Sequence, residues 1–254
     1  VREAGHEVVA FSRSADRSQF PDDVEIFEGD LGDPASLEGL CEGIDAAYYL
    51  IHSMRAGRDF EHLDRELARN FADAASAAGI ERVIYLGGLG EGTGGGSSDD
   101  DADARDRTPE DLSPHLRSRR EVEAILAEGD YELTTLRAAI VIGAGSASFR
   151  MVYQLVKQLP VMVTPRWVRT PCQPIAVRDV VSYLVCVLAH PETTGETYEI
   201  GGPDVLSYAE MMRETARADG RTLYLVPVPV LSPRLSAYWL GFVTDVPVSV
   251  ARPL

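Results

Sequence analysis

Two periods of apolar and polar positions alternate along this chain. Short β-rich runs, EVVAFSR (7–13) and VEIFEGD (24–30), read as strands. PASLEGLCEG (34–43) reads as a helix, with Pro34 in its first turn and Gly43 near its end. DAAYYLIHS (45–53) is a buried strand, a long helix runs from Arg58 to Ala78 and closes at Gly79, and ERVIYLGG (81–88) is the next strand. The stretch SPHLRSRREVEAILAEG (113–129) predicts a helix, with Ser113 to cap it, Pro114 at its first position and Gly129 at its end. At 100° per residue Val122, Ile125 and Leu126 share one face. His115 and Arg119 fall on that face too, while Arg117, Arg120, Glu121 and Glu128 point away. An inward stripe that begins with an imidazole and a guanidinium calls for a chemical reason.

A strand, YELTTLRAAIVIG (131–143), follows that helix. The order β-β-α-β-α-β-α-β predicts an α/β fold with a parallel sheet. After Gly145 the pattern loosens: SASFRMVYQLVKQLP is helical, PCQPIAV extended, RDVVSYLVCVLAH helical, ETYEIGG a strand and SYAEMMRETARADG a helix. The end of the chain, from Leu223, is apolar and broken by prolines.

Composition narrows the functional classes. The chain has 254 residues, 40 acidic against 24 basic, and a formal net charge of −16; Lys157 is its one lysine. Such a balance points to a halophilic cytoplasm, with an acidic GC-rich genome as the plainer alternative. A surface this negative argues against nucleic acid as a partner, because phosphate binding needs cations. Cys41, Cys172 and Cys186 are odd in number and far apart, so neither a disulfide framework nor a metal site is expected. VVSYLVCVL (180–188) is too short to span a bilayer, and the apolar end lacks the cationic face of an interfacial helix. The expectation is a cytoplasmic protein without a membrane partner, acting on an unidentified small molecule; an oligomer is compatible. The segment at 88–111, rich in glycine and aspartate, reads as a mobile surface loop whose carboxylates would repel phosphate.

GHEVVAFSR, FEGDL and GIERVIYLGG, in that order, resemble the short-chain dehydrogenase/reductase superfamily. TTLRAAIVIGAG, PIAVRDVVSYL and GETYEIGGPDVLSYAEM are similar to its extended and atypical branches, in particular the NmrA-like and complex I 39-kDa-subunit-like NAD(P)-binding proteins. The resemblance implies a Rossmann-like doubly wound sheet over 1–143, completed by 178–203, and a smaller lobe from 144–177 and 204–254. Active members carry Tyr-x-x-x-Lys on the helix that here starts at Pro114, often with a glutamate four residues on. By that register His115 stands at the tyrosine position, Arg119 at the lysine position, and Glu123 at the glutamate. The catalytic serine position falls at Gly87, Gly88 and Leu89. Histidine can transfer protons near neutral pH. Arginine stays charged and cannot act as a base, but can hydrogen-bond ribose hydroxyls. An inward arginine also needs a partner, either a ligand or a carboxylate.

The resemblance further implies Ser12 and Arg13 at the adenosine ribose, where an arginine in place of an acid suits the 2′-phosphate of NADP rather than NAD. It places Asp30 and Leu31 at the adenine, and Leu50, Ile51, His52 and Gly87 along the cofactor crevice; Arg137 is expected to be structural. VREAGHEVV reads as the tail of the family's first helix, and no glycine-rich turn precedes it. The expectation is therefore an N-terminally truncated chain whose sheet lacks its first strand, with cofactor bound poorly or not at all. Two readings of function follow: an NAD(P)-dependent oxidoreductase or epimerase-like enzyme with altered catalytic residues, or a non-catalytic NADP-binding redox sensor or assembly factor.

Overall fold

The computed structural model describes residues 1–14, 16, 20–51, 60–89, 114–164 and 166–227. It is an α/β protein. In chain order it has β1 (Val9–Ser12), β2 (Glu25–Glu28), β3 (Ala46–Tyr49), α1 (Phe60–Ala78), β4 (Arg82–Gly88), α2 (Pro114–Leu126), β5 (Glu132–Ala138) and β6 (Val141–Ile142). Then follow α3 (Ala147–Gln158), β7 (Val161–Thr164), β8 (Pro171–Cys172), β9 (Ile175–Ala176), α4 (Val177–Ala189), β10 (Thr197–Ile200), β11 (Leu206–Ser207), α5 (Tyr208–Ala218) and β12 (Tyr224–Pro227). The chain divides into two compact units, one of residues 1–87, 118–137 and 181–198, the other of 88–117, 138–180 and 199–254.

In the first unit, β1 and β2 form a parallel pair in which Phe11 faces Phe27, their rings stacked at 6.2 Å. Gly29 follows this pair because a Cβ there would meet the Ser36 carbonyl oxygen at 2.9 Å. A second sheet has the order β10-β5-β4-β3, with β3 and β4 parallel. Among the described residues β1 pairs only with β2, and β3 only with β4, so each has one open edge. β4 is a continuous apolar run: Val83, Ile84 and Tyr85 are fully buried, as befits an interior parallel strand. α1 buries Asp64, Leu67, Ala68, Phe71, Ala72 and Ala75, a helical stripe of small and large apolar residues interrupted by one carboxylate. α2 buries Val122, Ile125 and Leu126 as its period requires, and Ser118 with them. The shared core joins Leu31, Leu37, Tyr49, Phe71 and Leu126, with Phe11 and Ile51 against its rim.

The base of this sheet is polar. Arg82, 8% exposed, donates to Thr134 Oγ1 (3.1 Å) and Thr193 Oγ1 (2.7 Å), while Thr134 donates to the Thr193 carbonyl at 3.0 Å. Burial lowers the affinity of the Arg82 guanidinium for its proton, so the hydroxyls around it stand in for water.

The second unit has its own core, in which α3 contributes Met151, Val152, Leu155 and Val156, α5 contributes Met212 and Ala216, and Met162 of β7 fills the space between. Ser146 caps α3, and Ser207 with Glu210 forms a reciprocal capping box at the start of α5. These hydrogen bonds hold the Glu210 carboxyl below its ordinary range.

Several elements differ from those the sequence pattern predicts. The helix expected over 34–43 is a single 3-10 turn, Pro34–Leu37, because Gly39 (φ 79°) and Gly43 (φ 70°) take the left-handed conformation and turn the chain. The strand expected over 131–143 is two, β5 and β6, which sit in different sheets. β7 and β12 form a parallel pair that the proline-broken pattern conceals. The expected loop over 88–111 lies outside the described residues beyond Leu89, as do Ser113 and the apolar end from Val228. Among the described residues no helix is long and apolar enough to cross a membrane.

Candidate functional site

The site is built on the C-terminal ends of the parallel strands, where open α/β sheets bind ligands. Ser12 ends β1; its carbonyl accepts from Gly29 N–H at 3.0 Å and its Oγ accepts from Ser14 N–H at 3.3 Å. Arg13 follows it, exposed. After β2, the carboxylate of Asp30 accepts from Gly32 N–H (2.9 Å), and Ser36 Oγ accepts from Asp30 N–H (2.9 Å). Leu31 is 3% exposed and packs into the core, while its carbonyl accepts from Asn70 of α1 at 2.6 Å. Of Leu31 only the backbone is left to face a ligand at this turn. After β3, Leu50 is 51% exposed and Ile51 half-buried. His52 lies outside the described residues.

Arg119 reaches this edge from α2. One guanidinium nitrogen lies 3.5 Å from the Ile51 carbonyl oxygen, and the group stands 6.0 Å from the centre of the Tyr85 ring. Tyr85 in turn donates its hydroxyl to the Arg119 carbonyl at 3.2 Å. Among the described residues no carboxylate pairs with Arg119. Its contacts are therefore a weak carbonyl bond and an aromatic face, which leave most of its five donors available. Burial pushes the Tyr85 phenol up, opposed by the nearby Arg119 charge. Gly87, on the same strand, is where a Cβ would come within 3.1 Å of the Tyr85 ring, so the absence of a side chain there keeps the ring in place.

Beneath this edge lies a buried contact that the sequence reading does not contain. Ser118 Oγ donates to Asp64 Oδ2 at 2.9 Å, with both residues buried. It ties α2 to α1 one residue before Arg119. Leaving either group without its partner would cost about 1–3 kcal/mol. Tyr49, packed on Phe71 (5.0 Å) and Tyr85 (6.1 Å), closes the space alongside; burial raises its phenol, and the Asp64 charge adds to that. The available signal was a polar residue set within each apolar stripe: Asp64 with Leu67, Ala68 and Phe71, and Ser118 with Val122 and Ile125.

The structure thus brings Arg119, Ile51 and Tyr85 together. His115 sits one turn earlier on α2, half-buried. Glu123 is engaged within the protein: it accepts two hydrogen bonds from Arg137 of β5, at 2.5 Å and 3.2 Å, and Arg120 lies 3.6 Å away. Arg137 thus links β5 to α2 through Glu123. No cluster of three His, Cys, Asp or Glu side chains able to hold a metal ion occurs among the described residues.

A family model described as NAD(P)H-binding matches residues 1–159. Over 167 residues the chain is 26% identical to the UDP-glucose 4-epimerase of Vibrio cholerae, covering 63% of this chain and 50% of that protein. The chain thus spans half the length of this curated relative. Among solved structures it resembles the Citrobacter sp. triphenylmethane reductase complexed with NADP(H), at TM-score 0.70 and 17% identity, with 96% of this chain and 76% of that one covered. It also resembles the Bordetella bronchiseptica enzyme WbmH in complex with NAD+, at TM-score 0.69 and 16% identity, with 99% and 91% covered. These last two likenesses are of fold.

Proposed function

The chain belongs to the NAD(P)H-binding family, and from there we propose that it is an NAD(P)-dependent oxidoreductase or epimerase-like enzyme, with a preference for NADP. One observation carries this reading: Arg119 is a cation at the C-terminal strand edge that no described carboxylate neutralises. A guanidinium held beside exposed Leu50 and the Ile51 carbonyl fits a ligand rich in hydroxyl and phosphate oxygens and bearing a flat apolar ring. The 26% identity to an epimerase over 167 residues supports the class of reaction. Bound, a nicotinamide supplies hydride donation and acceptance.

The chain's own residues do the rest. Arg119 donates hydrogen bonds to ribose hydroxyls and holds positive charge at the site; it cannot take a proton away. His115, one turn earlier, carries the proton that accompanies hydride movement. Ser12 and Arg13, at the end of β1, meet the adenosine ribose, and the Arg13 charge favours a 2′-phosphate. Asp30 and the Leu31 backbone border the adenine. A second reading, cofactor binding without turnover in a redox sensor or assembly factor, draws support from Gly87, Gly88 and Leu89, which offer no hydroxyl where the superfamily's serine would stand.

The test is a titration of the full chain with NADPH and NADH at fixed salt, because exposed arginine–phosphate contacts are screened. Arg119→Ala should weaken both cofactors about tenfold, the loss of one to two charge-assisted hydrogen bonds. Arg13→Ala should weaken NADPH and leave NADH unchanged. Unchanged binding in Arg119→Ala would remove the reading's main support, and equal losses in Arg13→Ala would remove the NADP preference.

A further inference from the structure

We propose that Arg82 holds a chloride ion at the base of the first unit's sheet, on the guanidinium nitrogen from which no described residue accepts. The inference lies within that unit and is independent of the NAD(P) reading. Arg82 opens the seven-residue strand β4, and the candidate cofactor edge is at the strand's other end, roughly 20 Å away at about 3.3 Å per residue. Two of the three guanidinium nitrogens are occupied. Thr134 Oγ1 accepts from Nε at 3.3 Å and from Nη2 at 3.1 Å, and Thr193 Oγ1 accepts from Nη2 at 2.7 Å. Nη1 donates to no acceptor among the described residues. It is not sealed either: among those residues the Tyr131 hydroxyl is the one buried polar side-chain atom without a partner, so Nη1 reaches solvent.

The charge on this buried group has no counter-charge. Among the described residues no carboxylate pairs with Arg82, and the titratable neighbours that act on it are the phenols of Tyr48 and Tyr198. The carbonyls at the end of α4 are taken by hydroxyls instead: Tyr48 donates to Leu184 at 2.9 Å, and Thr193 shares its proton between Val187 (3.1 Å) and His190 (2.7 Å). A buried cation ringed by neutral oxygens has lost solvation without gaining a negative partner, and an anion at Nη1 supplies one. The free donors select the kind of anion. Carboxylates and phosphates dock on arginine through two nitrogens in a fork. Here the threonines occupy that fork, and a single nitrogen with two N–H groups suits a monatomic ion. Tyr198 of β10, 38% exposed and without a hydrogen-bond partner among the described residues, adds a hydroxyl close to the same charge. The net charge of −16 repels anions from the molecule as a whole, so chloride that stabilises it must act at a local site.

Urea unfolding of the full chain tests this in mixtures of sodium chloride and sodium gluconate at constant ionic strength. Fixed sodium holds screening of the acidic surface constant, and gluconate is too bulky for one nearly buried nitrogen. The midpoint should rise with chloride and saturate. At ten times the dissociation constant of chloride the unfolding constant should have fallen about elevenfold. Arg82→Met, which keeps the stem and removes the charge, should unfold at a midpoint that chloride does not move. Should that variant fail to fold, the wild type decides: crystals soaked in sodium bromide should show an anomalous peak at hydrogen-bond distance from Arg82 Nη1. A midpoint flat in chloride, the same rise in Arg82→Met, or bromide bound only elsewhere overturns the proposal. A bromide peak at Nη1 with a flat midpoint is an adventitious ion only and overturns it too. So does stabilisation by phosphate at lower concentrations than chloride, which would make this an oxyanion site.

Discussion

Replacing Glu123 by glutamine tests how α2 is fixed against β5. The glutamate is 15% exposed and Arg137 23%, so both lie mostly out of water yet short of full burial. Exposed pairs are worth at most about 1 kcal/mol, whereas removing one member of a buried pair costs about 3–5 kcal/mol. A two-bond pair between these limits should lose about 2 kcal/mol when the charge goes and one weaker amide bond remains. For a chain of this size that is a fall in Tm of about 4–8 °C. Arg137→Met should cost less, because Glu123 keeps Arg120 at 3.6 Å. The assay is urea denaturation of the wild type, both single variants and the double variant, with unchanged m-values as the control. The coupling energy should be about 1–2 kcal/mol and nearly independent of salt, because a shielded pair is poorly screened. A coupling below about 0.5 kcal/mol, the scatter of independent sites, would show that the contact does not hold helix to strand.

Two further outcomes are expected. His115→Phe should bind NADPH with nearly unchanged affinity and lose redox turnover in a stopped or continuous assay at 340 nm; unchanged turnover would make His115 a packing residue. Burial raises the phenols of Tyr49, Tyr85 and Tyr131. In the unfolded chain they titrate near about pH 10. Stability from these groups is therefore complete below that pH and is lost as pH rises above it, since the unfolded chain releases its protons first. Absorbance at 295 nm should show these three tyrosines ionising only together with alkaline unfolding; their smooth titration in the folded chain near pH 10 would contradict the burial.

The fold was legible where a period persisted. α1 and α2 carry apolar stripes long enough to fix both their faces and their lengths, and β4 is apolar without interruption. Short elements were not legible. Residues 34–43 contain helix formers, but two glycines at positive φ stop the helix after one turn. β7 and β12 are four residues each, and each makes sense only opposite the other. Strand pairing is a long-range choice, and prolines on either side of VMVT and in LVPVP look locally like loop.

The candidate site divides in the same way, between direction and partnership. Periodicity put Arg119 on the inner face of α2, and its guanidinium lies near Ile51, just after β3, and Tyr85 of β4. Periodicity could not say that Ser118, one position earlier, would be fully buried, because serine is unremarkable on a helix surface. Its burial is explained from the opposite helix: Asp64 occupies a position in the apolar stripe of α1 and needs a donor there. The same reasoning separates the two charged residues that the helical register put in question. Glu123 finds two guanidinium groups and is thereby spent on structure, whereas Arg119 finds a carbonyl and a ring and keeps donors to give. A cation left in that state at the C-terminal edge of parallel strands is stabilised when ligand oxygens arrive, and that difference in satisfaction between neighbours on one helix is why the proposed cofactor contact is assigned to Arg119 and not to Glu123.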